Sequence, residues 1–204
     1  MKKCNKKMNL IMIRHPVTEW NINGKIQPVL GGDIAERGYI QLNNLMKRLE
    51  NEEIDAVYSS DSLRCLEVAA RISESHNIPL YENELFREKN NGRMEGCLKK
   101  EANAYLKSFQ GNYEDAKTPN GESLNELYIR SSKGLDFITS SHYRRVALIS
   151  HASYLYMLLG VQLGLSPIHS VQTFKFSNCA MSETKRKPNG IWGIEYLNNR
   201  DYLK

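Results

Sequence analysis

Two short apolar runs in the chain each end in a histidine. Met8–Ile13 is followed by Arg14 and His15, and Val146–Ser150 is followed by His151. Continuous apolar runs of this length are typical of strands that are buried on both faces of a parallel sheet. Because ligands of open α/β sheets bind beyond the carboxyl ends of the strands, we expect both histidines at one binding edge.

The rest of the chain alternates between apolar stretches of strand length and stretches with the spacing of amphipathic helices. Ser60 or Asp61 is the expected N-cap of the second helix. The alternation favours βαβ units, so we predict an α/β fold: a three-layer α/β/α sandwich with a mostly parallel central sheet. The predicted helices and further strands are, in turn, helices over 36–49, 62–75, 99–109, 122–139 and 153–163, and strands over 54–58, 78–81, 174–181 and 191–197.

Length and composition are those of one globular domain. The 204 residues are 41% hydrophobic and 25% charged, which supplies a core without metal or disulfide staples. We expect a single domain over residues 1–204, with residues 1–7 as a flexible basic N-terminus. The net charge of +5 includes two basic clusters, Lys2–Lys7 and Lys185–Lys187. No aromatic residues interleave with them, so solvated segments are favoured over a binding patch, and no nucleic-acid partner is expected.

The cysteines and the lengths of the apolar runs bear on cofactors and location. Cys4, Cys65, Cys97 and Cys179 are far apart and form no CxxC pair, so we expect no metal site. No stretch has the length that spans a bilayer, and the run before Arg14 is too short for a secretory signal. The sequence therefore predicts a cytoplasmic protein with reduced thiols, no membrane partner and no cofactor.

Arginines and histidines at one sheet edge suit the transfer of a phosphoryl group. That reaction needs cations around the phosphoryl oxygens, a nucleophile in line and a proton for the leaving oxygen. Arg14 and Arg64 can each grip phosphate oxygens in bidentate fashion. Neutral His15 can attack phosphorus and become a phosphohistidine, while His151 can stabilise the same group. A carboxyl group must then protonate the leaving oxygen and activate water.

Five ordered motifs resemble those of the histidine phosphatase superfamily, which is also called phosphoglycerate-mutase-like. They are RHPVTEWN from Arg14, VYSSDSLR from Val57, LFRE with GRMEG from Leu85, NGES from Asn120, and SH at Ser150. The resemblance implies that family's fold and a mechanism without metal. At the matched positions it implies His15 as the nucleophile and Glu88 as the proton donor. It also implies a phosphate pocket, to which Asn21 donates its amide and which is completed by Arg14, Arg64 and His151.

Two prolines depart from the family pattern near the expected substrate. Pro16 follows the nucleophile and Pro28 follows Gln27, at positions where the family usually has glycine. Proline fixes φ at about −65° and has no N–H to donate, so we expect an altered substrate mouth. The pair Ala152-Ser153 also stands where two glycines are common.

Cys65 and Arg71 have the C-x5-R spacing of cysteine-dependent phosphatases. A phosphate loop of that kind favours glycine and small polar residues between the two. The intervening residues are instead apolar at helical spacing. We therefore expect Cys65 to lie in a helix and not to be the nucleophile.

The resemblance allows several activities, because a fold alone does not choose between them. The family's sugar-acid mutases carry an insertion and adjacent arginines, whereas Arg87, Arg93 and Arg130 stand singly here. We therefore favour a phosphomonoesterase of a small phosphorylated metabolite over a phosphoglycerate-type mutase. A phosphatase-like binding or regulatory module with little turnover is the remaining alternative.

Basic side chains near the expected mouth favour a substrate with a second acidic group. They are Lys89, Arg93, Lys99 and Lys100. The sequence leaves open which substrate this is, and whether the protein acts as a monomer or a homodimer.

Overall fold

The computed structural model describes residues 6–203, which are built around one six-stranded sheet. Its strands are β1 Met8–Arg14, β2 Ala56–Ser59, β3 Leu80–Glu82, β4 Arg145–Ser150, β5 Met181–Arg186 and β6 Trp192–Asn199. They lie in the order β3-β2-β4-β1-β5-β6. The first four of these run parallel, and β5 is antiparallel to both of its neighbours. The predicted mostly parallel sheet is therefore confirmed.

Helices cover both faces of the sheet. Within residues 6–203 they are α1 Glu19–Ile22, α2 Glu36–Leu49, α3 Leu63–His76, α4 Lys99–Lys107, α5 Leu124–Thr139, α6 Ala152–Leu163 and α7 Pro167–Thr173. None of these helices is both long and apolar enough to cross a membrane. Two separate clusters of buried apolar side chains lie above and below the sheet, one against α5 and α6, the other against α2 and α3. The three-layer sandwich is thus confirmed.

Strand β1 shows why four successive residues of its sequence are apolar. Leu10 and Met12 belong to the cluster under α5 and α6, whereas Ile11 and Ile13 belong to the cluster under α2 and α3. All four are fully buried. Where helices cover both faces of a central strand, side chains on both faces must be apolar, and the polar Arg14 at the end of the strand begins the site.

The strand predicted over 174–181 is wrong. Residues 174–180 are irregular, and β5 begins at Met181. Phe176 is apolar because it is buried in the core, and Cys179 adopts a left-handed φ of 53° that no regular strand allows. The real strand reads Met-Ser-Glu-Thr-Lys-Arg and is too polar to be recognised by its pattern.

Two short helices that the apolar spacing did not predict begin at local capping signals. Thr18 precedes α1 and forms a capping box with Asn21, in which its side chain accepts the Asn21 N–H. Ser166 precedes α7, accepts the N–H of His169, and is followed by Pro167 at the first helical position.

The basic clusters differ from the prediction in one respect. Lys185 and Arg186 lie within β5 and not in a loop, although Lys185 is exposed as expected. Residues 1–5 of the predicted flexible N-terminus lie outside the described residues. Lys6 donates from Nζ to the carbonyl of Ser141 at 2.9 Å.

Candidate active site

The two histidines meet because β1 and β4 are parallel neighbours in register. Arg14 pairs with Ser150, so His15 and His151 follow at the same edge. Their ring centroids are 5.3 Å apart, with the planes tilted by 60°. Both side chains are almost completely buried, at 1% and 0% exposure. The sequence prediction that both reach one edge of the sheet is confirmed.

Arg64 reaches the histidines from the first turn of α3, just beyond the end of β2. Its Nη2 donates to Nδ1 of His151 at 3.1 Å, and its Nη1 donates to the carbonyls of Pro28 and Gly31. The loop over residues 28–31 therefore holds the guanidinium by backbone contacts. Pro28 contributes to this contact through its carbonyl group, which proline has like any other residue. The N–H that proline lacks is not needed for holding Arg64.

Arg14 and Arg64 present buried donors that lack a partner in the protein. Arg14 Nη1 donates to the carbonyl of Phe176 at 2.8 Å, but the Nε atoms of both arginines are buried and make no hydrogen bond. Burial lowers the pKa of both guanidinium groups, yet arginine stays charged in proteins. Buried donors of two cationic groups are costly to leave unsatisfied unless an anion accepts from them.

The contacts of His15 fix which of its ring nitrogens carries the proton. Nδ1 lies 2.7 Å from the carbonyl of Pro16, and a carbonyl can only accept, so Nδ1 is the protonated nitrogen. Nε2 therefore keeps its lone pair. Burial, followed by the charges of Arg64 and Arg14, holds the pKa of His15 well below its ordinary value. The ring is therefore neutral near neutral pH, as a nucleophile must be.

His151 has the opposite tautomer. Its Nδ1 accepts from Arg64, so Nε2 carries the proton and donates to Oγ of Ser60 at 2.9 Å. Burial and the charge of Arg64 lower the pKa of His151 well below its ordinary value. Ser60 is thus occupied at the site and is not the N-cap of α3. That position belongs to Ser62, so the N-cap prediction is wrong.

Asn21 is oriented by a residue that sequence reasoning missed. Asn178 donates from Nδ2 to Oδ1 of Asn21 at 3.0 Å and to the carbonyls of His15 and Pro16 at 3.1 and 3.2 Å. Asn21 lines the cavity, and because its Oδ1 already accepts from Asn178, its Nδ2 is left to donate to a ligand. Asn178 lies in the segment that was predicted as strand, where no motif distinguished it.

Glu88 reaches the same cavity from an irregular segment after β3. Its Oε1 accepts the backbone N–H of Lys89 at 2.9 Å and of Ser153 at 3.1 Å. Ser153 lies in the first turn of α6, so its N–H has no acceptor within the helix and is available to Glu88. The pair Ala152-Ser153 thus supplies a backbone donor although neither residue is glycine.

A cavity of about 230 Å³ connects these groups. Five predicted site residues line it, namely Arg14, His15, Asn21, Arg64 and Glu88. His151 does not line it and lies behind His15 and Arg64. Of the four cations predicted at the mouth, Lys99 is part of the wall, and Lys25 joins it unpredicted. Lys89 is instead a buried side chain whose ammonium makes no hydrogen bond.

Cys65 lies in α3 and is fully buried, as its helical spacing predicted. Its Sγ is 3.5 Å from Nε2 of His151. Burial raises the pKa of this thiol to about 12, so it is not a thiolate at neutral pH. Among residues 6–203 no three His, Cys, Asp or Glu side chains are grouped so that they could hold a metal ion.

Comparisons with known proteins agree with the motifs. Residues 10–200 match the Histidine phosphatase superfamily (branch 1). Phosphoserine phosphatase 1 from Hydrogenobacter thermophilus is 32% identical over 166 residues, which are 76% of this chain and 78% of that protein. A Yersinia pestis protein named "Probable phosphoglycerate mutase GpmB" is 29% identical over 180 residues, covering 86% and 83%.

A solved structure shows the same fold. Alpha-ribazole phosphatase from Shigella flexneri superimposes with a TM-score of 0.84 at 20% identity, covering 94% of this chain and 96% of that one. The family match extends over nearly the whole described chain. The protein is therefore a member of the histidine phosphatase superfamily (branch 1).

Proposed function

We propose that this protein is a phosphomonoesterase that hydrolyses a small phosphorylated metabolite through a phosphohistidine at His15. The observation that carries the proposal is the state of His15. Its ring is neutral, its Nε2 lone pair is free, and it lines the same cavity as Arg14 and Arg64, whose buried Nε donors lack partners. A phosphate group is the ligand that such a nucleophile and such donors suit together.

In the first step, Nε2 of His15 forms a bond to phosphorus while the bond to the leaving oxygen breaks. Glu88, entering in its protonated form, gives that oxygen its proton, and the alcohol departs. The phosphorylated ring becomes positively charged, and its Nδ1–H continues to donate to the carbonyl of Pro16. Arg14 and Arg64 neutralise the charge on the phosphoryl oxygens.

In the second step, water attacks phosphorus and Glu88, now a carboxylate, takes the proton of that water. The bond between phosphorus and Nε2 breaks, its electron pair returns to His15, and inorganic phosphate leaves. The contact between Arg64 and His151 keeps the guanidinium in place through both steps. A direct contact of His151 with the phosphoryl group stays a prediction.

The size and the lining of the cavity favour a small substrate with a second anionic group. The cavity holds about 230 Å³, and Lys25 and Lys99 line it beyond the arginines. Burial and the nearby charge of Arg14 lower the pKa of Lys99. An anionic substituent on the substrate would raise this pKa again and stabilise the charged ammonium group. The relative named phosphoserine phosphatase 1 fits this class.

The name of the Yersinia pestis relative favours phosphoglycerate mutase as a second candidate. The two activities differ in the acceptor of the phosphoryl group. A phosphatase releases inorganic phosphate in proportion to substrate consumed, whereas a mutase returns the group to a second hydroxyl and releases little. We propose that the protein is a hydrolase of the histidine acid phosphatase type that acts in the cytoplasm.

The proposed function is tested by turnover of p-nitrophenyl phosphate at about pH 6, where the buried imidazole of His15 stays neutral. We expect His15→Ala to lower kcat/KM by at least about 10³-fold. The matched control is His169→Ala, since that histidine is exposed, and its activity should equal that of the wild type. Full activity of His15→Ala would refute the proposal.

A further inference from the structure

Glu88 lies in a segment without regular secondary structure, so contacts from elsewhere must fix the direction of its carboxyl group. Residues 87–91 belong to no helix or strand. Arg130 on α5 reaches across to this segment. It donates to the carbonyls of Arg87 at 2.8 Å and Glu88 at 3.1 Å within this segment, and to that of Leu85 at 2.9 Å just before it. One side chain thus holds the backbone on both sides of the Glu88 amide.

Glu122, which lies just before α5, completes the arrangement. It accepts from Arg130 in bidentate fashion, from Nε at 2.8 Å and from Nη2 at 2.7 Å. Its Oε2 also accepts the N–H of Asn90 at 3.3 Å, and its own N–H donates to the carbonyl of Asn90 at 2.8 Å. The backbone is therefore held on the far side of Glu88 as well.

Every donor of Arg130 is used in these contacts. A guanidinium has five N–H groups in a fixed plane, and the five bonds go to three carbonyls and two carboxylate oxygens. The plane also lies over the ring of Tyr154, with 5.5 Å between Cζ and the ring centroid. Lysine has three donors and no plane, so it cannot reproduce the set.

We infer that Arg130 and Glu122 are a positioning pair for the acid Glu88. Neither lines the cavity, so neither touches the substrate phosphate in this geometry. Their side chains are only 20% and 13% exposed, so the pair is largely protected from solvent. The role rests on the proposed function, because it concerns the residue that protonates the leaving oxygen.

The expected effect follows from how strictly proton transfer depends on geometry. A shift of about 1 Å in a catalytic group can lower a rate by about 10²-fold. Loss of the pair lets the segment around Glu88 move, while His15 and the two phosphate-binding arginines are held by other contacts. Proton transfer to the leaving oxygen should suffer, and attack on phosphorus should not.

The test compares two substrates that differ in their need for an acid. The leaving group of p-nitrophenyl phosphate departs without a proton, whereas that of phenyl phosphate is more basic and needs one. We expect Arg130→Gln, Arg130→Lys and Glu122→Gln to lower kcat/KM for phenyl phosphate by about 10- to 100-fold, and for p-nitrophenyl phosphate by less than about threefold. Circular dichroism checks that each variant folds, and three variants keep the test available if one does not.

Two further variants separate positioning from general structural support. In a Glu88→Gln background the acid is absent, so adding Arg130→Gln should cause no further loss with phenyl phosphate. The matched control is Arg71→Gln, which breaks an exposed pair with Glu67 on α3. That variant should match the wild type with both substrates.

Equal losses with both substrates, or a loss that adds to that of Glu88→Gln, would overturn the positioning role. If either outcome occurred while the wild type still formed phosphohistidine, the positioning role would be refuted and the proposed function would remain intact. Absence of phosphohistidine in the wild type would instead refute the proposed function itself.

Discussion

Acid should unfold the protein at a higher pH than protonation of its carboxylates alone would, because the fold buries two neutral histidines. Burial and neighbouring arginines hold the pKa values of His15 and His151 well below the ordinary 6.5. The unfolded chain binds protons at these positions below that value, and the folded protein does not. The free energy of unfolding must therefore fall as pH falls from about 6.5 towards the folded pKa values.

The size of the effect follows from the number of buried rings. Each histidine that is protonated only in the unfolded chain lowers the free energy of unfolding by about 1.4 kcal/mol per pH unit. Between neutral pH and about pH 5, the free energy of unfolding falls by about 2 kcal/mol for each ring that stays neutral in the folded protein. For the pair the loss is about 4 kcal/mol. That is a large part of the 5–15 kcal/mol, roughly, that stabilises an ordinary domain.

The assay is urea unfolding followed by tryptophan fluorescence in buffer without phosphate, since Trp192 is largely buried. Between about pH 7.5 and about pH 5, the wild type should lose about 2 kcal/mol more than His15→Asn, in which the carboxylates are unchanged. His169→Asn removes an exposed histidine and should behave like the wild type. Equal pH dependence of the wild type and His15→Asn would show that His15 is protonated in the folded protein and would refute the reasoning.

Three other predictions test neighbouring features. Pro16→Gly keeps the carbonyl that holds His15, so kcat/KM should stay within about threefold, while a freer unfolded chain lowers stability by about 1 kcal/mol in urea unfolding; a large activity loss would assign the proline ring itself a role. Cys65→Ala should keep steady-state activity within about threefold, because a buried protonated thiol is a poor nucleophile, and inactivation would contradict this. Dialysis against a chelator should leave p-nitrophenyl phosphate turnover unchanged; activity lost and then restored by a metal salt would contradict a metal-free mechanism.

The sequence predicts well what depends on periodicity and strand direction. The apolar run before His15 predicts a strand covered on both faces, and the similar run before His151 predicts a parallel partner ending at the same edge. The position of Arg64 follows because α3 begins directly after β2. These are local signals, and the topology of a parallel sheet turns them into one site.

What the sequence does not predict depends on contacts between distant segments. Asn178 orients Asn21 across 157 residues of chain, and nothing in its own neighbourhood distinguishes it from a loop asparagine. Similarly, Lys89 and Lys99 look equivalent in the sequence, but Lys99 on α4 lines the cavity, whereas Lys89 is buried and does not line it. A single sequence carries no record of such distances.

The central claim is that His15 carries the phosphoryl group, and trapping that intermediate tests it most directly. The wild type is mixed with p-nitrophenyl phosphate, quenched within milliseconds in alkali, which preserves phosphohistidine, and analysed by peptide mass spectrometry. The account predicts one phosphoryl group on the ring of His15, and none on that peptide in His15→Ala. The account would be contradicted if the active enzyme carried the phosphoryl group on Cys65 or any other residue. It would also be contradicted if the active enzyme formed no covalent intermediate.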